Sequence, residues 1–145
     1  MQVTVEKVES KEEEQAIIRA VEETGDIRAA RELLEGGSRS IPVTQGGQVY
    51  VCKLSSIYYI ESVDKKTFVY TKEGCFESKK RLYELEEELG GLFMRCSKAM
   101  ILNLKKVKNV HSEMSGRLNA TLLNDETVVI SRGYVKDIKR RLGIG

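Results

Sequence analysis

The sequence has few of the residues on which catalytic or cross-linked proteins depend. It has one histidine, no tryptophan, one proline, and three widely spaced cysteines (Cys52, Cys75 and Cys96) that form no C-x-x-C pattern. An odd number of dispersed cysteines indicates neither a disulfide framework nor a zinc site. No run approaches 18 apolar residues, and the N-terminus lacks the basic start and apolar run of a secretory signal. These absences predict a soluble cytoplasmic protein with reduced thiols.

Catalytic motifs are also missing, which excludes the common classes of hydrolase and nucleotide-binding enzyme. There is no G-x-S-x-G, H-E-x-x-H, P-loop or G-x-G-x-x-G sequence. His111 follows an alternating strand pattern beside a predicted turn, which favours a surface position. Cys96 lies between Arg95 and Ser97, and cations lower thiol pKa values, but its strand favours a half-buried structural cysteine. We therefore expect no enzyme, no cofactor and no metal; an enzyme using Cys96 or His111 is the weakest alternative.

The composition is that of a globular protein whose charge is unevenly distributed. The chain has 145 residues, of which 41% are hydrophobic and 32% charged, a length typical of one domain with a small appendage. Residues 1–37 carry 5 basic and 10 acidic side chains, whereas residues 38–145 carry 19 basic and 12 acidic. A basic segment joined to an acidic arm is compatible with a polyanionic partner. An uneven solvated surface would give the same numbers.

The first 37 residues predict a small arm. Alternating apolar side chains predict a strand at Val3–Val8, and residues 12–23 fit either a helix or a second strand. Asp26 predicts the N-cap of a helix whose apolar stripe continues to Leu34. Gly36-Gly37 is expected to end that helix and to begin a short linker to Ser40. The predicted arm is therefore β-β-α or β-α.

From residue 41 the pattern changes to short strands with two helices. Gly46-Gly47 predicts a hairpin between strands at 41–44 and 48–52. Ser78 predicts the cap of a leucine-rich helix that ends at Gly90-Gly91. Further strands are predicted at 57–62, 67–71, 75–77, 92–96, 100–104, 107–111, 117–123 and 127–130, with a final helix at 134–142. The predicted fold is α+β and mostly β: an antiparallel β domain with two helices, preceded by the arm.

Basic residues occur at three predicted turns or strand ends, beside small polar residues. The three groups are Lys65, Lys66 and Thr67; Arg95, Ser97 and Lys98; and Arg132. Loops on a rigid scaffold often carry function. Arginine can bind guanine with two hydrogen bonds, and lysine, serine and threonine bind phosphates or base edges. Polar turns are common in all proteins, so these residues alone leave the function open.

At these residues the sequence resembles the LytTR family of bacterial DNA-binding domains, over about residues 41–142. Three motifs carry the resemblance in the same order: I-Y-Y-I-E-S at 57–62, L-x-x-L-E-x-x-L with F-x-R-x-S-K-x-x-I-x-N at 82–103, and I-S-R-G-Y at 130–134. The resemblance implies a mostly β fold whose loops, rather than a recognition helix, enter successive major grooves of promoter DNA. It implies DNA contacts at the positions of Lys65, Lys66, Thr67, Arg95, Ser97, Lys98 and Arg132.

Two positions depart from the family pattern. Many members have a histidine where this chain has Ser97 and a second basic residue where it has Gly133, so we expect an altered target sequence and affinity. Most members also have a receiver domain ahead of the DNA-binding domain, for which 37 residues are too few. The arm resembles that of stand-alone members from Firmicutes-type bacteria, which are sometimes paired with a membrane protein.

We therefore expect a sequence-specific transcriptional regulator that binds double-stranded DNA at promoter repeats as a homodimer. Residues 1–37 are the expected acidic arm, with a dimerisation or partner surface, and residues 41–142 are the expected DNA-binding domain. The alternative is a protein-interaction module whose arm recruits a signalling or membrane partner. No small-molecule substrate is expected.

Overall fold

The structure, a computed structural model, describes residues 1–35 and 39–145, so the helix end and linker expected at Gly36–Ser38 lie outside the described residues. Residues 1–24 contain one short 3-10 turn, Lys11–Glu13, and no strand. The strand prediction for Val3–Val8 is therefore wrong for the single chain, and residues 14–23 form neither a helix nor a strand. The physical reason is that a strand needs a partner for its backbone groups, and this segment has none in the described chain.

The first helix, α1 (Gly25–Leu34), is capped two residues earlier than expected. The Thr24 Oγ1 accepts a hydrogen bond from the Ile27 backbone N–H at 3.3 Å, so Thr24 is the N-cap in place of Asp26. Asp26 lies in the first turn, and its carboxylate accepts a hydrogen bond from the Gly91 backbone N–H. An acidic side chain is stabilising in this position beside the positive end of the helix dipole.

A seven-stranded antiparallel sheet, sheet A, forms the centre of the fold, with strand order β2-β1-β5-β4-β3-β7-β6. Its strands are β1 (Ser40–Gln45), β2 (Gln48–Lys53), β3 (Ile57–Val63), β4 (Lys66–Thr71), β5 (Gly74–Ser78), β6 (Phe93–Ser97) and β7 (Met100–Asn103). The hairpin predicted at Gly46-Gly47 is confirmed: Gln45 pairs with Gln48, and both glycines have positive φ.

The second helix, α2 (Leu82–Leu89), covers one face of sheet A. Its three leucines are buried against residues that include Ile57, Ile60, Val69 and Ile101. The helix begins after Arg81, so the prediction that Ser78 caps it is wrong. Ser78 is the last residue of β5, and its Oγ accepts a hydrogen bond from the Lys80 backbone N–H at 3.1 Å, which orders the connection. The expected stop at Gly90 is confirmed.

The opposite face of sheet A is covered at its β3-β7-β6 end by a three-stranded sheet and a third helix. These elements are β8 (Val107–Ser112), β9 (Leu118–Leu122), β10 (Thr127–Ile130) and α3 (Arg132–Leu142), with strand order β10-β9-β8. Consecutive residues of β7 divide between the two cores: Ile101 packs with α2, and Leu102 packs with Leu118, Ile130 and Ile138. The expected fold class is confirmed: antiparallel and mostly β, with the arm contributing a helix and no strand.

Two further expectations can be compared with the structure. The three cysteines are free, with Cys52 and Cys96 buried and Cys75 exposed. In the part of the chain that the structure describes, no helix combines the length and hydropathy needed to cross a bilayer.

Candidate nucleic-acid interface

The sheet topology brings the three basic groups to one end of the molecule. The β3–β4 turn lies beside the β6–β7 turn, because Glu61 pairs with Met100 and the Ser62 backbone N–H donates to the Ala99 carbonyl at 2.8 Å. The junction between β10 and α3 lies beside the end of β6, since the Ser131 N–H donates to the Cys96 carbonyl at 2.9 Å. We call this row of two turns and one junction the basic edge.

The β3–β4 turn presents two exposed lysines on a tight hairpin. Its central residues, Asp64 and Lys65, have φ values of 51° and 67°, so the turn is narrow and Val63 pairs with Lys66 across it. Such a conformation is uncommon for residues other than glycine and is typical of two-residue hairpin turns. Lys65 and Lys66 are exposed, and among the described residues neither forms an ion pair.

Thr67 does not belong to this exposed group. Its side chain is only 3% exposed and lies in β4, opposite Ser62 on one side and Ser78 on the other. In a strand, successive side chains point to opposite faces, and the face of Thr67 is the core face shared with Val69. The structure therefore contradicts the expectation of a surface contact for Thr67.

The Arg95 side chain stabilises the β6–β7 turn. Its Nη1 donates a hydrogen bond to the Lys98 carbonyl at 2.7 Å, and its Nε lies 3.3 Å from a Glu86 carboxylate oxygen. The Nε–Glu86 contact has ion-pair distance without hydrogen-bond alignment, since the buried Nε has no hydrogen-bond partner among the described residues. The half-buried guanidinium therefore ties the turn to α2.

The remaining turn residues differ in what they offer to a ligand. The Ser97 Oγ accepts a hydrogen bond from the Ala99 backbone N–H at 3.3 Å, which closes the turn from within. Lys98 is exposed, and its side chain takes part in no ion pair with the described residues. At this turn, Lys98 therefore supplies the accessible charge, and Arg95 and Ser97 fix its position.

Arg132 is the first residue of α3 and is exposed. The aliphatic part of its side chain lies against Gly116 in the β8–β9 loop, where a Cβ on residue 116 would come within 2.8 Å of the Arg132 Cδ. Because Gly116 has no side chain, it leaves the space that the Arg132 side chain occupies. The neighbouring Gly133 faces open space, because no atom lies within 4 Å of the place its Cβ would occupy.

The candidate site residues taken from the sequence leave out a basic face on α3 that continues from Arg132. Lys136, Lys139 and Arg140 line, with Arg132 and Gly116, a shallow surface groove of about 540 Å³. Spacings of four and seven residues place these side chains on one face of a helix. The Arg140–Asp137 contact, at 3.9 Å between exposed groups, leaves this face strongly positive. The signal was present in the sequence, in the spacing of basic residues after the third motif.

The two residues considered for an enzyme, Cys96 and His111, lie in different environments. Burial raises the pKa of the Cys96 thiol to about 12, so this cysteine is a neutral thiol at physiological pH. His111 is exposed on β8. Among residues 1–35 and 39–145, no group of three histidine, cysteine or acidic side chains is placed to hold a metal ion.

One lowered pKa belongs to the loop that supports Arg132. Hydrogen bonds from the Asn119 amide (2.7 Å) and the Ser115 hydroxyl (3.0 Å) hold the pKa of the Glu113 carboxyl below its usual value. These bonds connect the two ends of the β8–β9 loop, which carries Gly116. The loop against which Arg132 packs is therefore ordered by an ionised carboxylate.

The comparisons with known proteins agree with this geometry. The family profile of the LytTR group, described as LytTr DNA-binding domain, matches residues 47–143. A solved LytTr DNA-binding domain from Bacillus cereus superposes with a TM-score of 0.69 and 26% identity, covering 74% of this chain and 100% of that one.

Two relatives show how much of a longer protein this chain matches. The sensory transduction protein LytT of Enterococcus faecalis is 25% identical over 108 residues, which are 74% of this chain and 45% of that protein. An uncharacterized HTH-type transcriptional regulator of Staphylococcus aureus is 31% identical over 97 residues, or 67% of this chain and 66% of that protein. The chain thus spans less than two thirds of the length of either relative.

Proposed function

The chain belongs to the LytTR family of DNA-binding domains, and from that premise we propose that it is a sequence-specific transcriptional regulator that binds promoter repeats through the basic edge. The observation that carries the proposal is the convergence of Lys65, Lys66, Lys98 and Arg132 on one end of sheet A. Flexible lysines held on two neighbouring turns can follow a phosphate backbone, and the arginine at the adjoining junction can read a base.

The roles divide according to what each side chain does in the structure. Lys65, Lys66 and Lys98 are exposed cations and are proposed to contact phosphates. Arg132, whose side chain packs against Gly116, is proposed to contact a base edge. Arg95 holds the β6–β7 turn through the Lys98 carbonyl and is proposed to position that turn rather than to touch DNA.

The basic face of α3 extends the proposed interface beyond the three turns. Lys136 and Lys139 follow Arg132 along the same groove, so a duplex lying on the basic edge would pass them. Cations on a helix face contribute affinity without sequence information, because every phosphate is alike. We assign these two residues to phosphate contacts.

The remaining parts of the proposal concern the whole protein. Residues 41–142 are the proposed DNA-binding domain, and residues 1–37 are the proposed acidic arm that contacts a second copy of the chain. The protein is proposed to be a homodimer without enzymatic activity and to work in the cytoplasm, where its DNA target is. The arm as a recruiting surface for a signalling or membrane protein is the competing proposal, supported by its acidic charge.

Selection of bound duplexes from a random pool tests the proposal. We expect enrichment of one short motif in two copies at fixed spacing, and footprinting of that site should show protection that weakens steeply as salt increases. A pool that shows no enrichment at low salt, with no protected site on genomic DNA, would overturn the proposal. A partner protein that stays bound in high salt and nuclease would then favour the recruiting surface.

A further inference from the structure

We propose that Val3–Val8 of one protomer adds as a strand to the free edge of β2 in a second copy, so that a homodimer forms by exchange of N-terminal arms. The inference extends the dimer of the proposed function by naming the two surfaces that form it. It depends on an unpartnered segment and an unpartnered strand edge in the same chain, and neither feature involves DNA.

The segment has the sequence of a strand and none of its interactions. Val3 and Val5 alternate with polar residues, which gives one apolar side, yet their side chains are 81% and 88% exposed. Further along the arm, Ile17 and Val21 are also exposed. Water-facing valines at strand spacing indicate a segment whose partner surface is absent from the isolated chain.

The edge of β2 is a matching acceptor. β2 is the terminal strand of sheet A and pairs with β1 alone in the described residues, so every second backbone N–H and C=O along it points away from the sheet. Two apolar side chains in the middle of the strand are exposed, Val49 by 68% and Val51 by 79%. Protected sheet edges usually carry charge, proline or a bulge, and an apolar open edge is a template for an added strand.

The surroundings of β2 suit an apolar and acidic segment. Beside Val49, β1 and the end of β5 separate and leave a hollow of about 280 Å³, whose floor includes Ile41 and Leu85 and whose rim carries Lys79. Lys53 lies at the end of β2. Residues 1–24 carry seven acidic and three basic side chains, so the arm has the opposite charge to Lys53 on this strand and to Lys79 beyond β5.

A second copy of the chain is the partner that fits both the Val3–Val8 segment and the free edge of β2. The arm joins α1, whose first residue, Gly25, is packed so closely on Gly90 that neither residue has room for a Cβ atom. Among the described residues, the arm forms no strand and does not pair with β2 of its own chain. Two copies that exchange arms satisfy both edges at once and close the assembly with two-fold symmetry. Of the other edge strands, β8 has the same length as β2 but its exposed side chains are all polar, and the shorter β10 offers only one exposed valine, Val129.

The test is the mass of the full chain in solution, measured by light scattering at concentrations up to about 100 µM. We expect a dimer for the unmodified protein. Val3→Lys with Val5→Lys, and separately Val49→Lys with Val51→Lys, should raise the dimer dissociation constant at least about tenfold. Thr127→Lys with Val129→Lys is the matched control, since it places the same two charges on exposed positions of a different edge strand, and it should stay dimeric.

Cross-linking distinguishes exchange from folding back. In a Cys75→Ser background, a chain with Val5→Cys mixed with a chain with Val51→Cys should form a covalent heterodimer under mild oxidation. A third chain carries both Val5→Cys and Val51→Cys. A monomeric wild type, a dimer unaffected by either lysine pair, or a cross-link that forms only within this third chain would each overturn the inference. DNA protection is measured separately: a dimer that protects no site would refute the proposed function alone.

Discussion

Removing the charge of the three basic-edge lysines gives the sharpest functional prediction. Lys65, Lys66 and Lys98 are exposed and form no ion pair among the residues described, so replacing each with glutamine removes no internal interaction. The free energy of unfolding should therefore change by less than about 0.5 kcal/mol. Any loss of DNA binding can then be attributed to the interface.

The size of the effect follows from counterion release. Each phosphate that a cation neutralises contributes about 0.9 to the slope of log K against log salt. On a duplex with one copy of the motif, which one protomer contacts, loss of three such contacts should flatten the slope by about 2.7, so that between roughly 50 and 200 mM salt the variant loses about 40-fold less affinity than the wild type does. Fluorescence anisotropy of a labelled duplex across a salt series measures both slopes directly.

The matched control removes the same total charge elsewhere. Lys11 lies in the arm, and Lys72 and Lys105 lie at the end of sheet A opposite the basic edge, and all three are exposed. Their triple replacement with glutamine should leave the slope within about one unit of the wild-type value, because any effect then comes from net charge alone. A basic-edge variant with the wild-type slope, or a control that flattens the slope equally, would refute the reasoning.

Three further predictions concern single residues. Arg132→Lys should reduce discrimination at one base position by about 1–3 kcal/mol and leave the salt slope unchanged, as measured by competition with point-substituted sites; an altered slope with intact preference would assign Arg132 to a phosphate. Leu85→Ala should lower the free energy of unfolding in urea by about 2–5 kcal/mol, because Leu85 is fully buried under sheet A, and a loss below 1 kcal/mol would contradict that packing. Stability should fall between pH 9 and 12, because the Cys96 thiol ionises near 9 when unfolded and near 12 when folded, and Cys96→Ala should flatten that fall; an identical pH profile would contradict the burial of this thiol.

The sequence predicts those elements whose signals are local. The Gly46-Gly47 hairpin was predictable because a two-residue turn with positive φ needs glycine-like residues. The position of α2 followed from three leucines at helical spacing. Its start did not: Ser78 and Arg81 both precede the leucines, and the choice depends on the pairing of β5 with β4, which extends to Ser78. Tertiary pairing overrides a local capping preference in this case.

The residues of the candidate site show the same division. The positions of the lysine-bearing turns were predictable from the strand pattern, and their convergence on one edge follows from the strand order of sheet A, which the pattern does not give. Thr67 was misassigned because the face of a strand changes with every residue, so an error of one position exchanges surface for core. The bond from Arg95 to the Lys98 carbonyl depends on a tight turn and is invisible in the sequence.

The fate of Val3–Val8 illustrates a third case. The alternation of valines indicates a preference for strand, but such a preference is realised only where a partner edge is available. The single chain leaves this segment without one. Sequence pattern and isolated structure therefore disagree at the place where we infer that a second copy binds.

The central claim is that the two turns and the junction of the basic edge contact one duplex together. Site-directed photocross-linking tests this claim most directly. A cross-linker is attached to a cysteine placed by Lys66→Cys, Lys98→Cys or Gly133→Cys in a Cys75→Ser background; the last side chain enters open space. With the selected duplex, the account predicts cross-links from all three positions, at three separate places along the DNA, and none from Lys72→Cys. Cross-links from only one of the three positions, or equal cross-linking from position 72, would contradict the account.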